Sequence, residues 1–255
     1  MSSDKKILLM HNSSIDYTEL NKFNKTAHQW WDPEGEFKTL HQINPLRIEY
    51  ITKTIESHYN STPNKTKILD IGCGGGLVSA PMSRLGFDMS ALDANESNIK
   101  AISDYSQDHN LNIDLFHETV ENHVLRNKKY DVILCLEVIE HVAHVSSFLN
   151  NLNSMLKPDG ILILSTINRT RCAYFYAIVM AEYLLGWVPK NTHDYNKFLK
   201  PSEIVSKLSK TDLKLFNLQG LSYLPLKNRW KLSNDIDINY FASFKKDSIL
   251  LKTKK

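Results

Sequence analysis

The 255-residue chain is poor in cysteine, has no long apolar run and carries no excess of either charge. Its three cysteines, Cys73, Cys135 and Cys172, are far apart, odd in number and without C-x-x-C spacing. That argues against a disulfide framework and a zinc knuckle, and it fits a reducing compartment. With 31 basic and 28 acidic residues the formal net charge is only +3, too small for the field a nucleic-acid binder presents. The most apolar stretch, Cys172 to Val188, is broken by Glu182 and Gly186 and falls short of the ~20 residues a spanning helix needs. The start, "MSSDKKILLMHNSS", has an apolar patch shorter than the roughly 7 to 15 residues of a secretory core, so a frayed, cytoplasmic N-terminus over 1–15 is expected.

What is present is an alternation. Residues 16–31 and 43–58 have apolar positions at helical spacing, separated by the Pro- and Gly-broken "DPEGEFKTLHQINP". From Lys67 onward short β-rich runs, "KILDIGC", "FDMSALDA", "NIDLFHET", "YDVILCLEV" and "GILILSTI", alternate with helical patterns near 76–85, 95–109, 119–126, 146–156 and 201–209. Such order predicts right-handed βαβ units on a parallel sheet. Pro158-Asp159-Gly160 reads as a turn before a buried strand, and "LKLFNLQGLSY" and "INYFASFKK" as an antiparallel pair closing the sheet. The whole of 16–255 is expected to be one domain, with 16–62 as a helical cover and 168–200 as an insertion.

"ILDIGCGGGLVSA" passes from a strand through Gly72, Gly74, Gly75 and Gly76 into a helix, where glycines permit positive φ and close ligand approach and the helix start offers N–H groups. Asp93, ending the next strand, stands where a carboxylate can take the two hydroxyls of a ribose. Leu77 occupies the place where a dinucleotide fingerprint wants Gly or Ala, which moves the reading away from NAD. Asp70 makes the loop acidic and suits a cationic ligand, such as the sulfonium and ammonium of S-adenosylmethionine.

"DIGCGGG", "LDA" and "YDVILCLEVIEHV" with "LKPDGILILST" resemble the motif series of class I S-adenosylmethionine-dependent methyltransferases. More narrowly, "FNKTAHQWWDPEGEFKTLHQINPLRIEYI" and "STINRTRCAYFYAIVMAEYLLGWVPKNTHDYNKFLKPSE" resemble the ubiquinone-biosynthesis O-methyltransferase family, over roughly residues 20–245. The resemblance implies a Rossmann-like α/β fold: a seven-stranded, mostly parallel sheet with helices on both faces, an N-terminal helical cover and a helical insertion after strand five. It implies O-methylation of polyprenyl phenols and catechols, and cofactor contacts at Arg47, Gly72, Asp93 and Leu136, to which the acidic loop adds Asp70 and Gly74. Arg47 could fork onto a methionine carboxylate; without the resemblance, a surface ion pair with a nearby carboxylate is the better reading. Other classes stay open: a methyltransferase for another small molecule or a protein, or a non-catalytic S-adenosylmethionine-binding module.

In "CLEVIEHVAHV", Glu137, Glu140 and His141 follow strand four within one turn. Two carboxylates and an imidazole could hold Mg²⁺, or they could simply solvate and cap a short helix. The resemblance favours the divalent ion, with His144 outside the set. His193, beside Asp194, is the candidate base or orienting residue; packing by Tyr195 is its alternative. Arg169, Arg171 and Lys190 flank the apolar stretch, as in an amphipathic segment on an anionic membrane, while a core helix over the active site explains the composition equally well. The resemblance and this segment together imply a cytoplasmic enzyme peripherally associated with the inner face of the cell membrane, with other ubiquinone-biosynthesis proteins as partners. The indole pair Trp30-Trp31 reads as a packing anchor for the N-terminal cover, with lining of the substrate mouth as its alternative.

Overall fold

The computed structural model describes residues 27–59, 66–175, 194–224, 227 and 229–247. Residues 16–26 of the expected first helix, the centre of the insertion and His193 lie outside them; the described end of that helix is a short 3-10 turn, Ala27–Gln29, instead. Five strands, β1 (Lys67–Ile71), β2 (Asp88–Asp93), β3 (Ile113–His117), β4 (Tyr130–Leu136) and β5 (Leu156–Ile167), pair in parallel; β6 (Leu213–Leu224), β7 (Arg229–Ser233) and β8 (Asn239–Lys246) add antiparallel pairings. The order is β3-β2-β1-β4-β5-β8-β6-β7.

The central strands read as continuous apolar runs because both of their faces are covered. Alternate residues serve opposite cores. Leu69, Ile71, Ile133, Cys135, Leu162 and Leu164 meet Phe148, Leu149 and Leu152 of α5 (Val145–Met155) and Ile204 and Leu208 of α6 (Pro201–Leu208). Ile68, Val132, Leu134, Ile161 and Ile163 meet Ile51 and Ile55 of α1 (Lys38–Tyr59) and Met82 of α2 (Ser79–Arg84). Two further helices, α3 (Glu96–Asp108) and α4 (Val120–Val124), follow β2 and β3.

Three expectations change. The described sheet has eight strands rather than seven: β7, with exposed and half-buried residues only, lacks the apolar signal that marks its neighbours. Helix α1 begins inside the stretch expected as a connection and runs through Pro45. A proline within a helix forfeits a bond and costs ~3 kcal/mol, but α1 is held by tertiary burial of Ile43, Arg47, Tyr50, Ile51 and Ile55. Pro158 to Gly160 lie within β5 as a register irregularity rather than ahead of it, with Asp159 at φ +65°. Among the described residues no helix is long and apolar enough to cross a membrane.

Strand order reverses between β1 and β4. The carboxyl ends of the strands at such a switch point are the place where open α/β sheets bind ligands.

Candidate active site

The glycine loop leaves β1 with Gly72 at φ +65°, Gly74 at +53° and Gly76 at +88°. Several of its N–H groups are engaged within the protein. Gly72 and Cys73 both donate to the Leu92 carbonyl (2.8 and 3.1 Å), and Gly74 donates to Asp93 Oδ2 (2.9 Å). The sequence suggested donors free for a ligand; at Gly72 and Gly74 they are spent on β2 instead. α2 starts only at Ser79, so the loop and its helix are also further apart than expected. At Gly74 the missing Cβ matters, since one there would come within 2.5 Å of the Trp30 ring.

Asp93 is buried at the end of β2 and accepts from Gly74 N, Asn95 N (2.8 Å) and Asn98 Nδ2 (3.2 Å). Burial pushes its carboxyl up, and these donors pull it back. Asp70, buried on β1, accepts from Ser79 Oγ at 2.6 Å. Burial drives its carboxyl to about 7; the Ser79 bond and the Arg47 charge oppose that shift. A cation brought alongside would favour its ionised form.

Arg47 projects from α1 and is only 4 % exposed. Its Nη2 pairs with Glu137 Oε1 at 3.3 Å, while its buried Nε has no hydrogen-bond partner among the described residues. A buried guanidinium with an unused donor suits a carboxylate ligand. Leu136 is buried at the last position of β4, and Glu137 behind it sits at φ +55°, a conformation that costs a non-glycine residue of order 1–3 kcal/mol. Glu137 is held there by its N–H on the Ser165 carbonyl (3.0 Å) and by Ser165 Oγ, which donates to Oε1 (2.9 Å). The structure therefore brings Arg47, Asp70, Gly72, Gly74, Asp93 and Leu136 to the carboxyl ends of β1, β2 and β4.

The expected ion site is not assembled. Among the described residues no three side chains of metal-binding type converge, and this includes Glu137, Glu140 and His141. Glu137 is engaged by Arg47 and Ser165. Glu140 is buried and accepts from Thr166 Oγ1 at 2.9 Å, its carboxyl pushed well up by burial and then by the Glu137 charge. A short 3-10 turn, Ile139–His141, replaces the helix that would have aligned the three. As arranged, the donor set does not fit a divalent ion. Asn98, Ser79, Ser165 and Thr166 border the site and escape sequence reasoning, because only folding brings them to it; Trp30, read from the sequence as a packing anchor, joins them through its bond to Asn98. Asn98, five positions after Asp93 on the following helix, was the one with a local cue.

A family profile described as "Methyltransferase domain" matches residues 41–217. The chain is 54% identical to a ubiquinone biosynthesis O-methyltransferase of Rickettsia felis, over 90% of this chain and 93% of that protein. It is 52% identical to the corresponding protein of Rickettsia prowazekii, covering 92% of each. The chain belongs to the ubiquinone biosynthesis O-methyltransferase family. It is accordingly an S-adenosylmethionine-dependent O-methyltransferase. Solved structures agree on the fold. Magnesium protoporphyrin IX methyltransferase from Synechocystis with bound S-adenosylhomocysteine superposes with a TM-score of 0.63 at 16% identity, over 91% of this chain and 97% of that one. A plantazolicin methyltransferase complex, also holding S-adenosylhomocysteine, gives 0.62 at 19%, over 90% and 98%.

Proposed function

We propose that the chain transfers the methyl group of S-adenosylmethionine to ring hydroxyls of polyprenyl phenols and catechols in ubiquinone biosynthesis, with Arg47, Asp70, Gly72, Gly74, Asp93 and Leu136 holding the cofactor. The supporting observation is the hydrogen bond from Gly74 N to Asp93 Oδ2, 2.9 Å, which ties the acid of β2 to the loop of β1 at the carboxyl end of the sheet, beside the switch point. When bound, the cofactor supplies an electrophilic methyl on a sulfonium. Asp93 takes the ribose, Arg47 the carboxylate, and Asp70 supplies negative charge beside a cationic ligand. Leu136 lends an apolar wall, and Glu137 keeps Arg47 in place.

A phenol, with a pKa of about 10 like tyrosine, is mostly protonated at neutral pH and needs a base. His193 is our candidate for that base or for an orienting residue. Its neighbour Asp194 caps a short 3-10 turn, accepting from Asn196 N at 2.9 Å. A divalent ion at Glu137, Glu140 and His141 would polarise the hydroxyl in another way, but the fit described above does not favour it. The defining experiment incubates purified protein with S-adenosylmethionine and a short-chain polyprenyl catechol and follows the methylated product by mass spectrometry. No product from protein that binds the cofactor would overturn the substrate assignment.

We also infer that the insertion meets the membrane where such substrates reside. Tyr174 and Phe175, each 48% exposed, stand at the last described positions before its apolar centre, beside exposed Arg171. Co-sedimentation with anionic vesicles, weakened by charge reversal at Arg171, is the expected result. Equal recovery without vesicles would leave the segment as an active-site lid.

A further inference from the structure

We propose that Trp30 is a positioning residue for the cofactor's ribose, acting through Asn98 on Asp93. The idea rests on the reading that Asp93 receives the ribose hydroxyls. An indole N–H can only donate. Trp30 Nε1 points at Asn98 Oδ1, 2.9 Å away, and this settles which way the amide faces. The NH₂ end is then turned to the carboxylate, with Nδ2 at 3.2 Å from Asp93 Oδ2. With the amide reversed, its oxygen would face the carboxylate and its NH₂ the indole N–H, so both contacts would be repulsive.

The remaining donors show why this orientation matters. Gly74 N also bonds Oδ2, at 2.9 Å, and Asn95 N bonds Oδ1, at 2.8 Å. Oδ2 is thereby saturated by two protein donors, while Oδ1, with one, keeps a lone pair for a ligand hydroxyl. Losing the Asn98 donor frees the carboxylate to rotate about its own Cβ–Cγ bond and removes one of the groups that keep it ionised. Trp30, Asn98 and Asp93 are 8%, 5% and 7% exposed, so the chain of bonds runs where water does not weaken it. The indole itself is fixed by stacking on Phe37, with centroids 3.7 Å apart and planes 4° from parallel, and it lies against Gly74 and Gly75.

Trp30→Phe keeps a ring for the stack and deletes the donor, together with part of the indole that lies against Gly74 and Gly75, so the ribose-selectivity of the loss, rather than its size, reads the donor. Calorimetric titrations would compare wild type, Trp30→Phe, Asn98→Ala and Asp93→Ala with S-adenosylhomocysteine and with its analogue lacking both ribose hydroxyls. Trp30→Phe is expected to weaken S-adenosylhomocysteine about tenfold and the analogue hardly at all. In turnover the loss falls on KM for S-adenosylmethionine rather than on kcat. Asn98→Ala should reproduce the ribose-selective loss, and combining it with Trp30→Phe should add nothing. It also serves as the test if Trp30→Phe does not fold. An equal loss for both ligands, or none for either, overturns the proposal and leaves Trp30 as packing. The underlying reading is probed separately. Undiminished S-adenosylhomocysteine binding by Asp93→Ala would remove the ribose role of Asp93, whereas a loss at Asp93 with silent Trp30 and Asn98 variants removes only the role of Trp30.

Discussion

Asp70 and Gly74 show how much one position can carry. The folded carboxyl of Asp70 lies near 7, above its ordinary 3.8, because burial penalises the charge. Its contribution to the stability of the ligand-free protein is therefore present below about 3.8 and lost as pH rises through about 7. A cationic ligand has the opposite preference. S-adenosylmethionine affinity should rise as pH climbs toward about 7 and level off above it, and Asp70→Asn should flatten that profile. Calorimetry from acidic to mildly alkaline pH measures both, and a flat wild-type curve would remove Asp70 from the cofactor's surroundings. At Gly74, alanine meets two obstacles: a φ of +53°, costing roughly 1–2 kcal/mol, and the Trp30 ring. Gly74→Ala should lower the midpoint of chemical denaturation and weaken the cofactor; a variant as stable as wild type would show that the Trp30 contact yields easily. The glycine and the two acids were legible as residues. The engagement of the loop's own N–H groups by Leu92 and Asp93 was not, since it depends on where β2 ends relative to β1.

At the scale of elements, periodicity carried most of the information. The pattern places α3 and α5 within a residue of where they stand, because each has one buried stripe against the sheet and α3 has Asn95 as a side-chain cap on Ser97 N. Phe148 on α5 is 2% exposed in the core shared with β4, β5 and α6. Phe148→Ala should cost about 3–5 kcal/mol in urea unfolding while leaving the glycine loop's chemistry alone, and a loss under 1 kcal/mol would mean that α5 is not fixed by that ring. Where the reading missed, a tertiary contact outweighed a local preference. Burial carries α1 through Pro45. β7 is paired with β6 despite its polar face, through a hairpin whose Gly220 lies so close to the Asp235 carbonyl that no Cβ would fit. The turn expected at Pro158–Gly160 became a bulge because β5 resumes pairing with β4 on its near side, at Leu156 opposite Tyr130.

For the whole molecule, the decisive feature is the switch point between β1 and β4, which gathers residues from α1, the glycine loop, β2 and the end of β4. Arg47 and Glu137 pair across that gap although they are 90 positions apart. The same assembly bears on metal dependence. Glu137 Oε1 already pairs with a cation of the protein and Glu140 Oε2 accepts from Thr166, and among the described residues no third side chain joins them as a ligand. Methyl transfer is therefore expected to survive exhaustive chelation. Loss of activity that Mg²⁺ restores would mean that substrate binding rearranges Glu137, Glu140 and His141 into a ligand set.

By itself the sequence determined the class of fold and the kind of ligand. Strand and helix periods, a glycine-rich turn and a strand-ending acid are local properties, and local chemistry is written residue by residue. Only the tertiary structure decided which groups remain available to a ligand. The N–H groups of Gly72 and Gly74, the carboxylates of Glu137 and Glu140 and the donor of Trp30 are each assigned to a partner distant in the chain or across a turn. A hydrogen-bonding group's availability depends on what stands within about 3 Å of it, and that is fixed by packing rather than by its neighbours in sequence.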